Sequence, residues 1–246
     1  MSNKQKLKIC SIDRLNPETS TPSDFTIELD HVLQGGYQLH YVYLPLMYQN
    51  ISVKNNRLHF RENEEDKIAY LTVGKYSGAT LLKTNVLEAL NDASDGTNTY
   101  TATYDSLTNF FTFTSSSVDF TFTFSNTDCS CAEILGFAPK DYDSTDLSLT
   151  AIRAFNLSTI QSINIDINGI RTISDSNNAI DCTISMPILQ NIGTIQYWCP
   201  QANSPDQFTI TAANKTNRLN IRIVDDYDEL IELEAEWHML IKKVHG

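Results

Sequence analysis

Hydrophobic and polar residues alternate along most of this chain. Near the start, Phe25, Ile27 and Leu29 alternate with Thr26, Glu28 and Asp30; near the end, Leu219, Ile221 and Ile223 alternate with Asn220 and Arg222. A period of two buries one face of a β-strand and wets the other, so both segments read as strands of one sheet assembly. Ile163, Ile165 and Ile167, set against Asn164, Asp166 and Asn168, repeat the pattern. Further strand pattern occurs at 51–60, 68–73, 180–185, 193–199 and 206–212. Residues 37–48 (YQLHYVYLPLMY) are apolar on both faces and predict a central strand covered on each side. The last segment has two readings. Ile231, Leu233, Ala235, Trp237, Met239 and Ile241 keep a period of two, while Leu230, Leu233, Trp237, Leu240 and Val244 suit one face of a helix. A strand over 233–244 is preferred, and it buries Trp237.

Residues 1–23 read as a flexible N-terminal arm, because Asn16, Pro17, Pro22 and the neighbouring Ser and Thr residues interrupt any regular element. The charged stretch 61–67 reads as a loop. Residues 84–139 then contain no Lys or Arg, and the first convincing helix appears beside them. Leu82, Val86, Ala89 and Leu90 share a helical face, with Thr80 as the expected cap and Asp95-Gly96 beyond the end. Strands at 98–104, 109–114 and 118–124 follow, where Phe111, Phe113, Phe120, Phe122 and Phe124 alternate with polar residues, mostly threonines. Ser130-Cys131-Ala132-Glu133 has capping-box spacing ahead of a short helix that ends at Gly136. Residues 74–140 are therefore expected to form a small α+β subdomain, inserted into a β-sandwich made of 24–73 and 141–246. The chain reads as mainly β. About eight antiparallel strands with long connections make a single jelly-roll β-sandwich the economical architecture. Strand number alone does not separate it from an immunoglobulin-like sandwich.

Composition narrows the function classes. The chain has 246 residues, 41% apolar and 20% charged, which fits a globular domain with a sizeable core. Its formal net charge of -12 repels phosphate backbones and argues against nucleic-acid binding. The basic exception is Lys4, Lys6 and Lys8 at the start. No apolar run approaches the ~20 residues of a membrane span, and none follows the N-terminal lysines as in a secretory signal. No membrane insertion is expected. Five cysteines, an odd count at wide spacing, argue against a disulfide framework and for folding in a reducing compartment such as the cytosol.

Candidate chemistry is sparse. His31, His40, His59, His238 and His245 include no His-x-His pair, which disfavours a cupin-like metal site. Asp225, Asp226, Asp228 and Glu229 carry oxygen ligands suited to Ca²⁺, but no glycine-containing calcium loop surrounds them, so a solvated turn is preferred. Glu232, Glu234 and Glu236 continue an acidic stripe suited to a basic partner. Cys129 and Cys131, with Cys182 or Cys199, lack a neighbouring base to activate a thiolate, and Ser185 and Ser204 lack a nucleophile elbow. Tyr37, Tyr41, Tyr43, Tyr48 and Trp198 suit a core or an oligomer interface better than a sugar site. No catalytic, cofactor-binding or metal-ligating residue is expected, and the chain is not expected to be an enzyme.

Several segments, taken in order, resemble the penton (vertex) capsid proteins of virophages and polinton-like viruses. They are Ser11-Ile12-Asp13-Arg14 with Asn16; Thr21-Pro22-Ser23-Asp24-Phe25; Gly35-Gly36-Tyr37 with Tyr43-Leu44-Pro45-Leu46; Val73-Gly74-Lys75-Tyr76; Tyr104-Asp105; and Ile134-Leu135-Gly136-Phe137. Residues 155–168 and 219–226, then Glu236-Trp237, complete the set. Each motif is loose, but together they span nearly the whole chain. The resemblance implies a single jelly roll, five copies of which close each fivefold vertex of an icosahedral shell as a homopentameric penton. It also implies neighbouring double jelly-roll hexons of a major capsid protein, a host receptor as an external ligand, assembly in the host cytoplasm and a place in the virion. The alternative of another class is a receptor- or carbohydrate-binding β-sandwich resembling a fibre head.

Overall fold

A computed structural model describes residues 6–94, 96, 98–128, 130–167, 173–174, 181–200, 207–210 and 216–243. The chain divides into two compact units, Met1–Tyr48 with Ile160–Gly246, and Gln49–Thr159. The first unit begins with β1 (Lys6–Cys10), β2 (Asp24–Leu33) and β3 (Gly35–Pro45). The second holds β4 (Arg57–Glu62), β5 (Glu65–Tyr70), α1 (Ala79–Ala93), β6 (Tyr100–Asp105), β7 (Phe110–Ser115), β8 (Phe120–Thr123), α2 (Ala132–Leu135), β9 (Asp141–Asp143) and β10 (Ser148–Thr150). The chain then returns to the first unit with β11 (Ser162–Ile167), β12 (Ile173–Ser174), β13 (Asp181–Cys182), β14 (Ile184–Pro187), β15 (Ile195–Trp198), β16 (Gln207–Ile210), β17 (Thr216–Val224) and β18 (His238–Lys243).

Two larger antiparallel sheets and a two-stranded β12-β13 ladder build the first unit among the described residues. One runs β1-β18-β3-β15, with β16 also on β3; the other runs β14-β11-β17-β2. The chain crosses repeatedly between the two larger sheets, and the last strand enters between the first and the third. That is the jelly roll, and it excludes the immunoglobulin-like order. β15 pairs with residues 42–45 of β3 and β16 with residues 35–38, so the two share one edge position in line. Alternation supplies the core: Leu39, Val42 and Leu44 of β3 and Met239 and Ile241 of β18 are buried, as are Ile163, Ile165, Ile221 and Ile223 of the opposite sheet. Each such side chain contributes about 1.5–3 kcal/mol on leaving water.

Three sequence expectations change here. Lys6–Cys10, expected within a flexible arm, forms β1 along β18, with Ile9 fully buried. Leu15 N–H then donates to Thr26 O at 2.7 Å, tying down the turn-rich stretch. Only Leu7 and Ile9 alternate in this segment, too few to read as a strand without its partner. The strand expected at 233–244 starts at His238. Upstream of it the backbone is held by separate contacts: Leu233 N–H donates to Ser23 Oγ at 3.0 Å and Glu234 N–H to Met47 O at 2.9 Å. The third concerns residues 37–48. β3 is central, but only one of its faces enters the core, while Tyr41 and Tyr43 on the other are half-buried.

Trp237 is buried, as its alternation with Met239 and Ile241 predicts. Its indole N–H donates to Pro22 O at 2.7 Å, and its ring meets Phe25 edge-on at 5.9 Å. Its backbone closes a reciprocal pair with Ser11. Trp237 N–H donates to Ser11 Oγ at 2.8 Å, and Ser11 N–H donates to Trp237 O at 2.9 Å. Ser11 Oγ–H and the Arg14 guanidinium both donate to the Glu236 carboxylate.

The second unit has its own aromatic core between the sheets β5-β4-β8-β9 and β10-β7-β6. Phe60, Phe111, Phe113, Phe120, Phe122 and Phe137 are all buried there. The same core takes Leu58, Ala69, Leu71, Leu149 and Ala151, so the unit extends to 49–159, beyond the expected 74–140. The charged stretch 61–67 is a hairpin, turning at Asn63 and Glu64, both at positive φ. Its charge conceals a buried carboxylate. Glu62 accepts bonds from Lys67 Nζ at 2.6 Å, Ser94 Oγ at 2.8 Å, Asn98 Nδ2 at 3.1 Å and Tyr100 OH at 2.8 Å. Burial alone would raise its pKa, but the four donors outweigh burial and hold it below the ordinary value.

The helix ends also differ from expectation. Gly78 stands at the N-cap of α1, with Thr80 inside the first turn. Cys131 precedes α2 with no side-chain cap; Ser130 Oγ instead accepts the Arg57 N–H at 3.2 Å. Gly136 ends α2 at φ 84°, where an added Cβ would sit 2.3 Å from Arg153 O, so only glycine fits. Among the described residues no helix is long and apolar enough to cross a membrane.

Two outcomes follow from this architecture. Trp237→Ala should lower unfolding stability by about 3–5 kcal/mol through the cavity and the lost clasp, measured by denaturant titration. A change within about 0.5 kcal/mol would contradict its place in the core. Replacing 49–159 by a short flexible linker should leave a cooperative unfolding transition, because loop closure costs grow slowly with length. Replacing only 74–140 should leave Leu58, Phe60 and Phe155 without their core and give a chain prone to aggregation.

Candidate assembly surface

The structure separates most of the sequence-derived candidates. His31 and His40 are exposed, His59 is buried beside Asn126, and His238 is half-buried in β18. His245, Cys129 and Ser204 lie outside the described residues. Cys131 is buried, Cys10 half-buried and Cys199 exposed, each a free thiol. Among the described residues no three His, Cys, Asp or Glu side chains come together as a metal cluster. Asp225 and Asp226 of the acidic run are spent on the backbone. Asp225 Oδ1 accepts Tyr227 N–H at 2.8 Å and Glu229 N–H at 3.0 Å, and Asp226 Oδ2 accepts Gln161 N–H at 2.6 Å. A shallow cleft of about 590 Å³ lies beside Asn16, Asp24, Arg218 and Arg222. Its two guanidinium groups already pair, Arg218 with Glu28 at 3.7 Å and Arg222 with Asp228 at 3.9 Å.

The aromatic candidates divide by face. Tyr37 and Tyr48 belong to the core, and burial pushes the Tyr48 hydroxyl up to about 12. Trp198 packs against the core from its edge. Tyr41 and Tyr43 point the other way, onto the outer face of the β1-β18-β3-β15 sheet. Strand register assembles rows across that face. Cys10, His238, Tyr43 and Tyr197 stand opposite one another in the first row. Lys8, Leu240 and Tyr41 form the second, and Lys6, Lys242 and Gln38 the third.

The rings interlock. His238 stacks on Tyr43 with centroids 4.9 Å apart, and Tyr41 stacks on Tyr197 at 5.6 Å. Tyr197 remains 62% exposed and Ile195, two residues earlier, 50%. An apolar, aromatic centre with a charged margin is the composition of a protein–protein contact. Burial lowers the His238 pKa below the usual 6.5, and the nearby Lys8 ammonium adds to the shift. Sequence reasoning found Tyr41 and Tyr43, weighed His238 only as a disfavoured metal ligand and missed Tyr197; the neighbours of the last two are set only by strand register.

No protein-family model matches the chain, and no curated protein matches it. Among solved structures it is similar to the mavirus penton protein, at 13% identity and a TM-score of 0.54, covering 98% of this chain and 99% of that one. The chain has the fold of that penton protein. A chain of the Sputnik virophage structure aligns at 10% identity over 98% of each chain, with a TM-score of 0.45.

The outer face carries a titration that reports its packing. Followed by NMR, His238 should titrate below an ordinary histidine, and Lys8→Gln should move its midpoint upward. A midpoint at or above the usual value, unmoved by Lys8→Gln, would contradict both causes.

Proposed function

We propose that this chain is a non-catalytic structural capsid protein that forms homopentameric pentons at the fivefold vertices of an icosahedral viral shell. The observation that carries the proposal is an architecture matched end to end: a single jelly roll, interrupted between β3 and β11 by a second unit, shared with a penton protein over 98% of this chain. The aromatic outer face of the first sheet supports it, because a shell protein must bury such surface against neighbours. Its neighbours in the shell would be double jelly-roll hexons of a major capsid protein, with assembly in the host cytoplasm and a host receptor as the external ligand.

A second reading draws on the same face. Exposed Tyr197 beside Tyr41 suits the apolar face of a sugar, as in a fibre-head-like receptor- or carbohydrate-binding module. Oligomeric state separates the two. Native mass spectrometry should give a pentamer, and averaged images of particles should carry density for this chain at the fivefold vertices. A stable trimer, or particles lacking the chain at those vertices, would overturn the penton assignment and favour the fibre-head one.

A further inference from the structure

We propose that Lys67 and Asn98 are the two ends of a self-formed isopeptide cross-link within the second unit, and that Glu62 catalyses its formation. The chemistry belongs to one buried cluster and does not depend on the capsid reading.

Three separate stretches of chain bring the reactive groups together. Glu62 ends β4, Lys67 lies on β5 opposite Phe60, and Asn98 precedes β6. The Glu62 side chain is fully buried, that of Lys67 is 13% exposed, and Asn98 is 3% exposed. Tyr100, which donates to the same carboxylate, meets Phe60 edge-on at 5.8 Å and Phe120 edge-on at 5.2 Å. The cluster therefore sits among aromatic rings, away from competing water. An amine, a primary amide and a carboxylate in such a place are the components of amide transfer.

The carboxylate holds the two partners on different oxygens. Lys67 Nζ donates to Oε1 at 2.6 Å, and Asn98 Nδ2 donates to Oε2 at 3.1 Å. The base thus touches both the nucleophile and the leaving group. The amide oxygen points the other way, into donors of the β7–β8 turn: Ser115 Oγ at 2.8 Å, Ser116 N–H at 3.2 Å and Ser117 N–H at 3.3 Å. A flipped amide would set oxygen against carboxylate and NH2 against N–H, so the surroundings impose this orientation. Two backbone N–H groups and a hydroxyl on one carbonyl oxygen make an oxyanion hole. A buried carboxylate needs donors of any kind. It does not need a lysine on one oxygen and, on the other, an amide whose carbonyl is polarised in this way.

Glu62 Oε1 first takes a proton from the Lys67 ammonium and leaves a neutral amine. Nζ attacks Asn98 Cγ, the carbonyl π pair moves onto Oδ1, and the β7–β8 turn stabilises the charge. Attack requires Nζ roughly 3–3.5 Å from Cγ, an approach for which lysine has a flexible stem. The new nitrogen then gives up a second proton, the Cγ–Nδ2 bond breaks, and Nδ2 departs as ammonia with a proton from the Glu62 carboxyl. The remaining proton leaves with it as ammonium and restores the carboxylate. Lysine ammonium and asparagine amide thus give isopeptide and ammonium, with nothing oxidised or reduced. Because its donors hold Glu62 ionised, the amine arises only transiently, which is enough for a reaction that each molecule performs once. The product joins β5 to the start of β6 and encloses α1 in a covalent loop. It restricts the unfolded chain as a disulfide does, but no reductant cleaves it.

Mass spectrometry of the full-length folded protein tests the cross-link. The intact chain should be lighter than its sequence by one ammonia, and a tryptic digest should contain a branched peptide joining Lys67 to Asn98, uncut after Lys67. Lys67→Arg, which keeps the charge and a donor for Glu62, should stay at its full sequence mass. Glu62→Gln should stay unlinked although both partners are present. A wild type whose two ends remain unlinked after prolonged incubation in the folded state would overturn the cross-link. So would a loss of ammonia that persists in Lys67→Arg, which marks asparagine cyclisation instead. A Glu62→Gln variant that links as completely as the wild type would overturn the catalytic assignment. If that variant does not fold, wild type against Lys67→Arg still decides the cross-link. Ser115→Ala then tests the geometry: it should slow linkage about tenfold or more in freshly synthesised chains, and an unchanged rate would overturn the oxyanion hole.

Discussion

The entry of β18 between β1 and β3 is the constraint on which the first unit depends. That strand lies at the far end of the chain, yet it pairs with the N-terminal strand on one side and the third strand on the other. Without it β1 has no ladder, and β3 loses one of its two flanks. Trp237 fixes its entry point. A buried indole bonded to Pro22 O, with the backbone clasp to Ser11, sets which residues of β18 face inward. Because strand side chains have a period of two, an error of one residue would move Met239 and Ile241 out of the core and carry His238 and Leu240 into it. The same clasp therefore sets both the core and the composition of the outer face.

Connection lengths follow from the same topology. A jelly roll is dominated by non-local pairings, so its connections are long and their content is only loosely constrained. The link from β3 to β11 accommodates a complete second unit with its own phenylalanine core. Charge is managed differently in the two units. In the second, Glu62 is taken into the interior with a full set of donors, which a buried carboxylate needs. In the first, charge stays at the surface, with acid gathered on the β17–β18 connector and lysine at the β1–β18 edge. Segregation of this kind gives a single chain little stability, since exposed pairs contribute only about 0–1 kcal/mol.

A structural role accords with where the side chains go. In the acidic run that resembles a calcium-ligand set, Asp225 and Asp226 accept backbone amides of their own turn and of Gln161, and Asp228 faces Arg222. The aromatic residues that suit a ligand platform stack on one another across three strands. What this face offers is a broad, partly exposed surface with a charged margin, the kind that gains most from being covered by another protein.

Much of the architecture was legible from residue pattern. Alternation at Phe25–Leu29, Ile163–Ile167 and Leu219–Ile223 fixed three strands and their buried faces, because period two leaves one assignment of inside and outside. The same pattern at Met239 and Ile241 placed Trp237 in the core, and the threonine–phenylalanine ladders marked the second unit. Apolar residues on both sides of 37–48 predicted a strand covered on each side, whereas only one face of it enters the core. Tertiary structure decided the remainder. β1 is too short to announce itself and exists because β18 offers it a ladder. The boundary at 49 rather than 74 depends on Leu58 and Phe60 joining phenylalanines that follow them by dozens of residues. Glu62 reads as solvent-facing until Lys67, Ser94, Asn98 and Tyr100 converge on it. Tyr43, Tyr197 and His238 become one surface only through register between strands far apart in sequence, which local pattern cannot encode.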